Sequence, residues 1–118
     1  MSYNPLSEIT DELLFVSSQT VEQLKTLQES AKFTDLPGTD IAEEQMRLSR
    51  VLNKLLDCLI TGLLNNPSKL WVMSQFQTAL EAVQIEDTEA REHFGVYLEQ
   101  IMDILQIDSS DGLLSFYL

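Results

Sequence analysis

The chain has 118 residues, 44% of them hydrophobic, and a formal net charge of −12 from 19 acidic and 7 basic side chains. That length and apolar content suit one domain over 1–118 with one hydrophobic core. The acidic excess excludes nucleic acid, whose phosphates need Lys and Arg, and anionic membrane surfaces, and it favours a basic partner.

Met1 to Thr10 has neither the basic nor the apolar region of a signal peptide. Asn4 reads as a cap with Pro5 at the first helical position. Leu6, Ile9, Leu13, Val16, Thr20, Leu24, Leu27 and Ala31 then recur at helical steps, which predicts one long first helix. Ser17, Ser18 and Thr20, with Gln23 downstream, offer a break and a second cap within it. Leu14, Phe15 and Val21 fall off the stripe. They must pack on a second neighbour or stay exposed.

Leu36-Pro37-Gly38 signals a turn, and Asp40 with Glu43 a new cap. The second helix is predicted to run to about Leu64. Its stripe is Ile41, Leu48, Leu52, Leu55, Leu59 and Leu63, widened by Leu56 and Ile60, which makes it the central helix. Gly62 borders the stripe, where a close helix approach is expected. Cys58, the single cysteine, excludes an internal disulfide and suits a reducing cytoplasm. The apolar runs here, Leu55–Ile60 and Leu63–Leu64, are far short of a membrane span.

Asn65-Asn66-Pro67-Ser68 is a second break. The third helix buries Val72, Met73, Phe76, Ala79, Leu80 and Val83, and Leu70 and Trp71 lie off that face. After Ile85-Glu86-Asp87-Thr88, with Asp87 as cap, the fourth helix runs to about Leu105 with Ala90, Phe94, Tyr97, Leu98, Ile101, Ile104 and Leu105 inward. Asp108-Ser109-Ser110-Asp111 reads as a last cap before a helical turn through Leu113, Leu114, Phe116 and Tyr117. No repeat or strand alternation interrupts this pattern. Four helices with short connections predict an all-α antiparallel four-helix bundle with a short C-terminal fifth helix.

Catalytic and metal motifs are absent. Glu89, Glu92 and His93 lack the Glu-x-x-His spacing and the second histidine of a bundle metal site. Asp108-Ser109-Ser110-Asp111-Gly112 has the wrong spacing for a calcium loop and no distal Glu. Cys58 sits on the polar side of the second helix beside Lys54, with no sequence-adjacent base to activate it. No glycine-rich phosphate loop occurs. No catalytic residue, metal or cofactor is therefore assigned, and the chain does not read as an enzyme. Arg47, Arg50 and Lys54 share one helix face, and Glu43 and Asp57 stand at spacings for intrahelical pairing.

The sharpest surface signal lies at the C-terminus. From Glu81 to Leu118 there are 9 carboxylates against one base, Arg91. On the fourth helix Glu89, Glu92, Glu99 and Asp103 fall within one arc of about 80°, with Val96 at its middle. An apolar residue ringed by carboxylates has the character of a partner-binding patch. The apolar tail is expected to dock across the bundle end, near Trp71 or Phe15. Its alternative is a homodimer contact made by Phe15, Leu114, Phe116 and Tyr117. A third expectation is a small-ligand pocket near Trp71, His93 and Tyr97.

Asp87-Thr88-Glu89-Ala90-Arg91-Glu92, then Tyr97-Leu98-Glu99-Gln100-Ile101-Met102-Asp103-Ile104-Leu105, then Ile107-Asp108-Ser109-Ser110-Asp111-Gly112-Leu113-Leu114 resembles the C-terminal signature of a small bacterial helical family known as a domain of unknown function. That resemblance implies no catalytic residue. In charge, size and fold class alone the chain is also similar to immunity proteins, acidic helical cytosolic inhibitors of basic toxins. The expected function is a non-enzymatic protein-interaction module of the cytoplasm, with homo-oligomer and small-ligand bundle as alternatives.

Overall fold

The N-terminal stripe does not form one helix. The structure, a computed structural model, describes residues 3–34 and 41–118. Pro5–Glu8 is a single 3-10 turn, and the Asn4 side chain accepts from the Leu6 amide at 3.1 Å. Residues 9–17 carry no helix. The first α-helix, α1, spans Ser18–Glu29 and opens on a reciprocal capping box: the Ser17 side chain accepts from the Thr20 amide, and the Thr20 hydroxyl accepts from the Ser17 amide.

The reason for the break is where the backbone hydrogen bonds go. Leu14 N–H donates to Pro67 O at 2.7 Å and Lys69 N–H to Glu12 O at 2.9 Å, forming an antiparallel bridge between Leu13 and Ser68. Leu14, off the helical stripe, is consequently buried. Leu13, on the stripe, is 83% exposed.

The remaining helices follow the apolar pattern. α2 spans Ile41–Gly62 and buries Leu48, Leu52, Leu55, Leu56 and Leu59, with Leu63 just beyond it. The Leu36-Pro37-Gly38 turn, the Asp40 cap and the Ile41 side chain lie outside the described residues. α3 spans Lys69–Ala82 behind a Ser68 cap and buries its whole predicted face. α4 spans Thr88–Leu105. Asp87 caps it, accepting from the Ala90 amide at 2.9 Å, and left-handed Gln106 closes it. α5 spans Leu113–Tyr117 and starts at Gly112, whose φ of 89° is the left-handed geometry that glycine tolerates.

The architecture is an all-α bundle. α2 packs against α1, α3 and α4; α4 also meets α1; α5 and the 3-10 turn pack on α3. The body measures 43 × 39 × 19 Å, so its thin dimension holds two helix layers of about 10 Å each. Among the described residues no helix is long and apolar enough to cross a membrane.

Two residues after α1 join it to the rest. Lys32 is buried, and its Nζ donates to the carbonyls of Leu27, Gln28 and Ser30 at 3.0, 2.7 and 2.6 Å. It adds an ammonium donor to the carbonyls at the end of α1, where Leu27 O also accepts from Ser30. Burial pushes its pKa below the ordinary lysine value. Phe33 is buried at a φ of 60°; its ring lies 4.6 Å from Tyr97 and 6.1 Å from Phe94, and its amide donates to the Tyr97 hydroxyl at 3.1 Å.

The close approach expected at Gly62 is real. A Cβ there would fall 2.6 Å from two ring carbons of Trp71. Alanine gains about 0.5–1 kcal/mol in helix propensity, against about 1–3 kcal/mol of overpacking. Trp71 borders an open cleft, so with space for the ring to shift Gly62→Ala is expected to cost about 1 kcal/mol net. A lowered melting temperature with red-shifted fluorescence of Trp71, the single tryptophan, checks this.

Candidate interaction surface

Burial of Ala90, Phe94, Leu98, Ile101 and Leu105 fixes the rotation of α4. Its other side must then face solvent. Glu89, Glu92, Glu99 and Asp103 are all exposed there, and Val96 among them is 53% exposed. Among the described residues none of these four carboxylates forms an ion pair. Arg91, the one base on α4, instead reaches Thr88 Oγ1 at 3.4 Å.

This face does not stabilise the free helix. Glu89 with Glu92, and Glu99 with Asp103, are like-charge pairs at repulsive helical spacings. Glu89 suits the positive N-terminal end, but Asp103 lies in the last turn, which holds no basic residue, and so opposes the helix dipole. His93 is half-buried on the flank, and among the described residues no cluster of metal-ligating side chains occurs.

The tail docks on the body, as expected of so apolar a segment, and does so on α3 and α4. Leu113 is fully buried, and Leu114 and Tyr117 pack half-buried against the core. Gln77 Nε2 donates to the Tyr117 hydroxyl at 3.1 Å, and Gln84 Nε2 to the Tyr117 carbonyl at 3.0 Å. Gly95 is the bare spot on α4 that admits Leu118: a Cβ there would lie 2.6 Å from a Leu118 methyl. Phe116 stays 54% exposed and meets Tyr3 in a tilted ring contact with centroids 5.4 Å apart. Phe15 is 81% exposed, beside Ile104 and Gln106 at the end of α4. The residues read as one homodimer contact thus divide between two places.

A polar junction missing from the sequence reading ties the N-terminal arm to both ends of this assembly. Asp11 Oδ1 accepts from Glu12 N, Ser68 Oγ and Leu70 N, each at 2.9 Å. Asp111 Oδ2 accepts from Lys69 Nζ at 2.8 Å and from Thr10 N at 2.9 Å. Asp111 therefore does not cap α5; within the predicted cap segment it is Ser110 whose Oγ accepts from an α5 amide, that of Leu114 at 3.3 Å. The clue was Lys69 itself, a cation in the first turn of α3, where the helix dipole disfavours it unless an acid is near.

The bonds from Leu70 and Ser68 hold the Asp11 carboxyl below its usual value, and the Lys69 ammonium does the same for Asp111. Both carboxylates bind fewer protons when folded, so their stabilisation is present above pH 3.8 and is lost as pH falls through the lower folded values. Urea midpoints should therefore fall more steeply below that pH in the wild type than in D11N/D111N.

Two other expectations change with the tertiary structure. Arg47 does not rely on Glu43: it forms a bidentate pair with Glu86 in the α3–α4 connection, with both bonds at 3.0 Å and the Glu86 side chain only 8% exposed. The Glu86 carboxylate raises the Arg47 pKa. The expected pocket uniting Trp71, His93 and Tyr97 does not form. Trp71 walls a cleft of about 510 Å³ with Asn4, Leu6, Ser7, Ser68, Leu70 and Ser74, whereas the Tyr97 hydroxyl is taken by Phe33.

No curated protein and no solved structure matches the chain. A family model described as "Domain of unknown function (DUF4844)" matches residues 16–118, a span that takes in α1 to α5, the whole α4 face and the docked tail. The chain belongs to that family.

Proposed function

We propose that this protein is a non-enzymatic interaction module that captures a basic protein through the exposed face of α4. The observation behind this reading is Val96, half-exposed at the centre of Glu89, Glu92, Glu99 and Asp103, none of them ion-paired among the described residues. A ring of unneutralised carboxylates attracts a cationic surface, and the apolar centre becomes desolvated on contact. Its most concrete form is inhibition of a basic toxin or enzyme in a reducing bacterial cytoplasm, where the unpaired Cys58 is at home. The test is capture of a basic partner from the native cell, with and without charge reversal at Glu92, Glu99 and Asp103. Retention that is insensitive to salt, or unchanged by the reversals, defeats the reading.

One observation favours a second reading, a homo-oligomer. Leu13 and Phe15 are 83% and 81% exposed on the extended arm. Because the tail is part of the packed body, deleting it would test folding rather than association. The clean comparison is solution mass for the wild type and L13S/F15S, and a monomer in both removes this alternative.

A further inference from the structure

The groove between α2 and α3 has a character that neither helix announces alone. Arg50, Lys54 and Cys58 recur at four-residue steps along α2 and form one wall, and Thr78 and Gln75 of α3 form the other. The floor is apolar, built from Val51, Leu55, Ala79 and Ala82. The groove is open on one side and its volume is about 290 Å³, close to the lower end of small-ligand sites.

The two cations are the unusual part. The chain has 7 basic residues against 19 acidic ones, so each should find an acid easily. Lys25 pairs with Glu22, Arg47 with Glu86 and Lys69 with Asp111, while Lys32 caps α1 and Arg91 contacts Thr88. Of these seven lysines and arginines only Arg50 and Lys54 have no hydrogen-bond or ion-pair partner among the described residues, and both border the same groove. Asp57, which could serve Lys54 from the next turn, is turned to α1 by Gln28 at 3.4 Å. On the facing wall the Gln75 amide has only a 3.5 Å contact with Ser74.

We infer that this groove binds a small amphipathic carboxylate. The carboxylate sits between the Arg50 guanidinium and the Lys54 ammonium, and the apolar body lies along Leu55, Ala79 and Ala82. Charge complementarity selects the anion, since a guanidinium binds a carboxylate through paired N–H donors. The apolar floor selects against a bare inorganic anion. This site is independent of the α4 surface and leaves its carboxylates untouched.

Cys58, half-buried in the groove and the single cysteine, is a built-in reporter. The experiment follows its alkylation by iodoacetamide in the full chain, titrated separately with octanoate, neutral octanol, inorganic phosphate and a short acidic peptide. Octanoate is expected to protect Cys58 at millimolar concentration, with octanol and phosphate protecting far less. R50Q/K54Q, two changes at exposed positions, should keep its helical circular dichroism and weaken octanoate protection about tenfold or more, the scale of one lost charge-assisted contact. Equal protection by octanol, no protection by octanoate, or an R50Q/K54Q variant that folds and still responds fully would overturn the inference. Protection by the acidic peptide alone would also overturn it and assign the groove to a protein ligand.

Discussion

Phe33→Ala is expected to lower stability by about 3–5 kcal/mol, a large share of the roughly 5–15 kcal/mol that holds a domain of this size together. The ring is fully buried between Phe94 and Tyr97, just past the end of α1. Alanine would leave a cavity facing α4 and would retain the left-handed backbone, so it removes the gain and keeps the strain. The loss should be cooperative, because Phe33 and Lys32 together set where the chain leaves α1 and crosses to α4. Tyr97→Phe deletes the acceptor for the Phe33 amide and keeps the ring, so it should cost about 1 kcal/mol. Denaturant midpoints for the two variants give the comparison. Equal, small losses would mean that Phe33 does not anchor this loop.

The second large effect concerns binding. E92K/E99K/D103K is expected to weaken partner capture by about 3 kcal/mol, or about a hundredfold, at about 1 kcal/mol for each rim charge. The same variant should be as stable as the wild type or slightly more so. Positions 99 and 103 keep like charges, but the Glu89–Glu92 repulsion becomes an attraction between Glu89 and a lysine three residues on, worth a few tenths of a kcal/mol. A lysine at position 103 also meets the negative end of α4, worth about 0.3–1 kcal/mol. A surface that costs stability when free, and would be improved by opposite charges, is one that solubility alone does not require. Thermal melts run beside the capture assay separate loss of the site from loss of the fold.

How much of this was legible in the sequence depended on what each feature needs. α3 and α4 were readable because a break at Asn65-Asn66-Pro67-Ser68 and the Asp87 cap stand next to apolar faces of regular helical period. The N-terminal stripe was misread because periodicity is blind to backbone partners. Leu6 to Val16 has helical spacing, yet its amides and carbonyls pair with Pro67 and Lys69. Phe33 and the partner of Lys69 are harder to read for a related reason: each joins segments distant in the chain, and Phe33 also uses a left-handed backbone that no local pattern encodes. The α4 face needed only a helical wheel and was found where the wheel put it. The Arg50–Lys54 groove needed α3 laid against α2, and only the packed structure supplies that.

The central claim is that α4, and not another face, meets the partner. The most direct measurement is the amide and methyl chemical-shift footprint of the captured partner on the isotope-labelled protein. The account predicts perturbation concentrated at Glu89, Glu92, Val96, Glu99 and Asp103. A footprint centred on Leu13, Phe15 and Phe116, or on the α2–α3 groove, with the α4 signals unmoved, would contradict it.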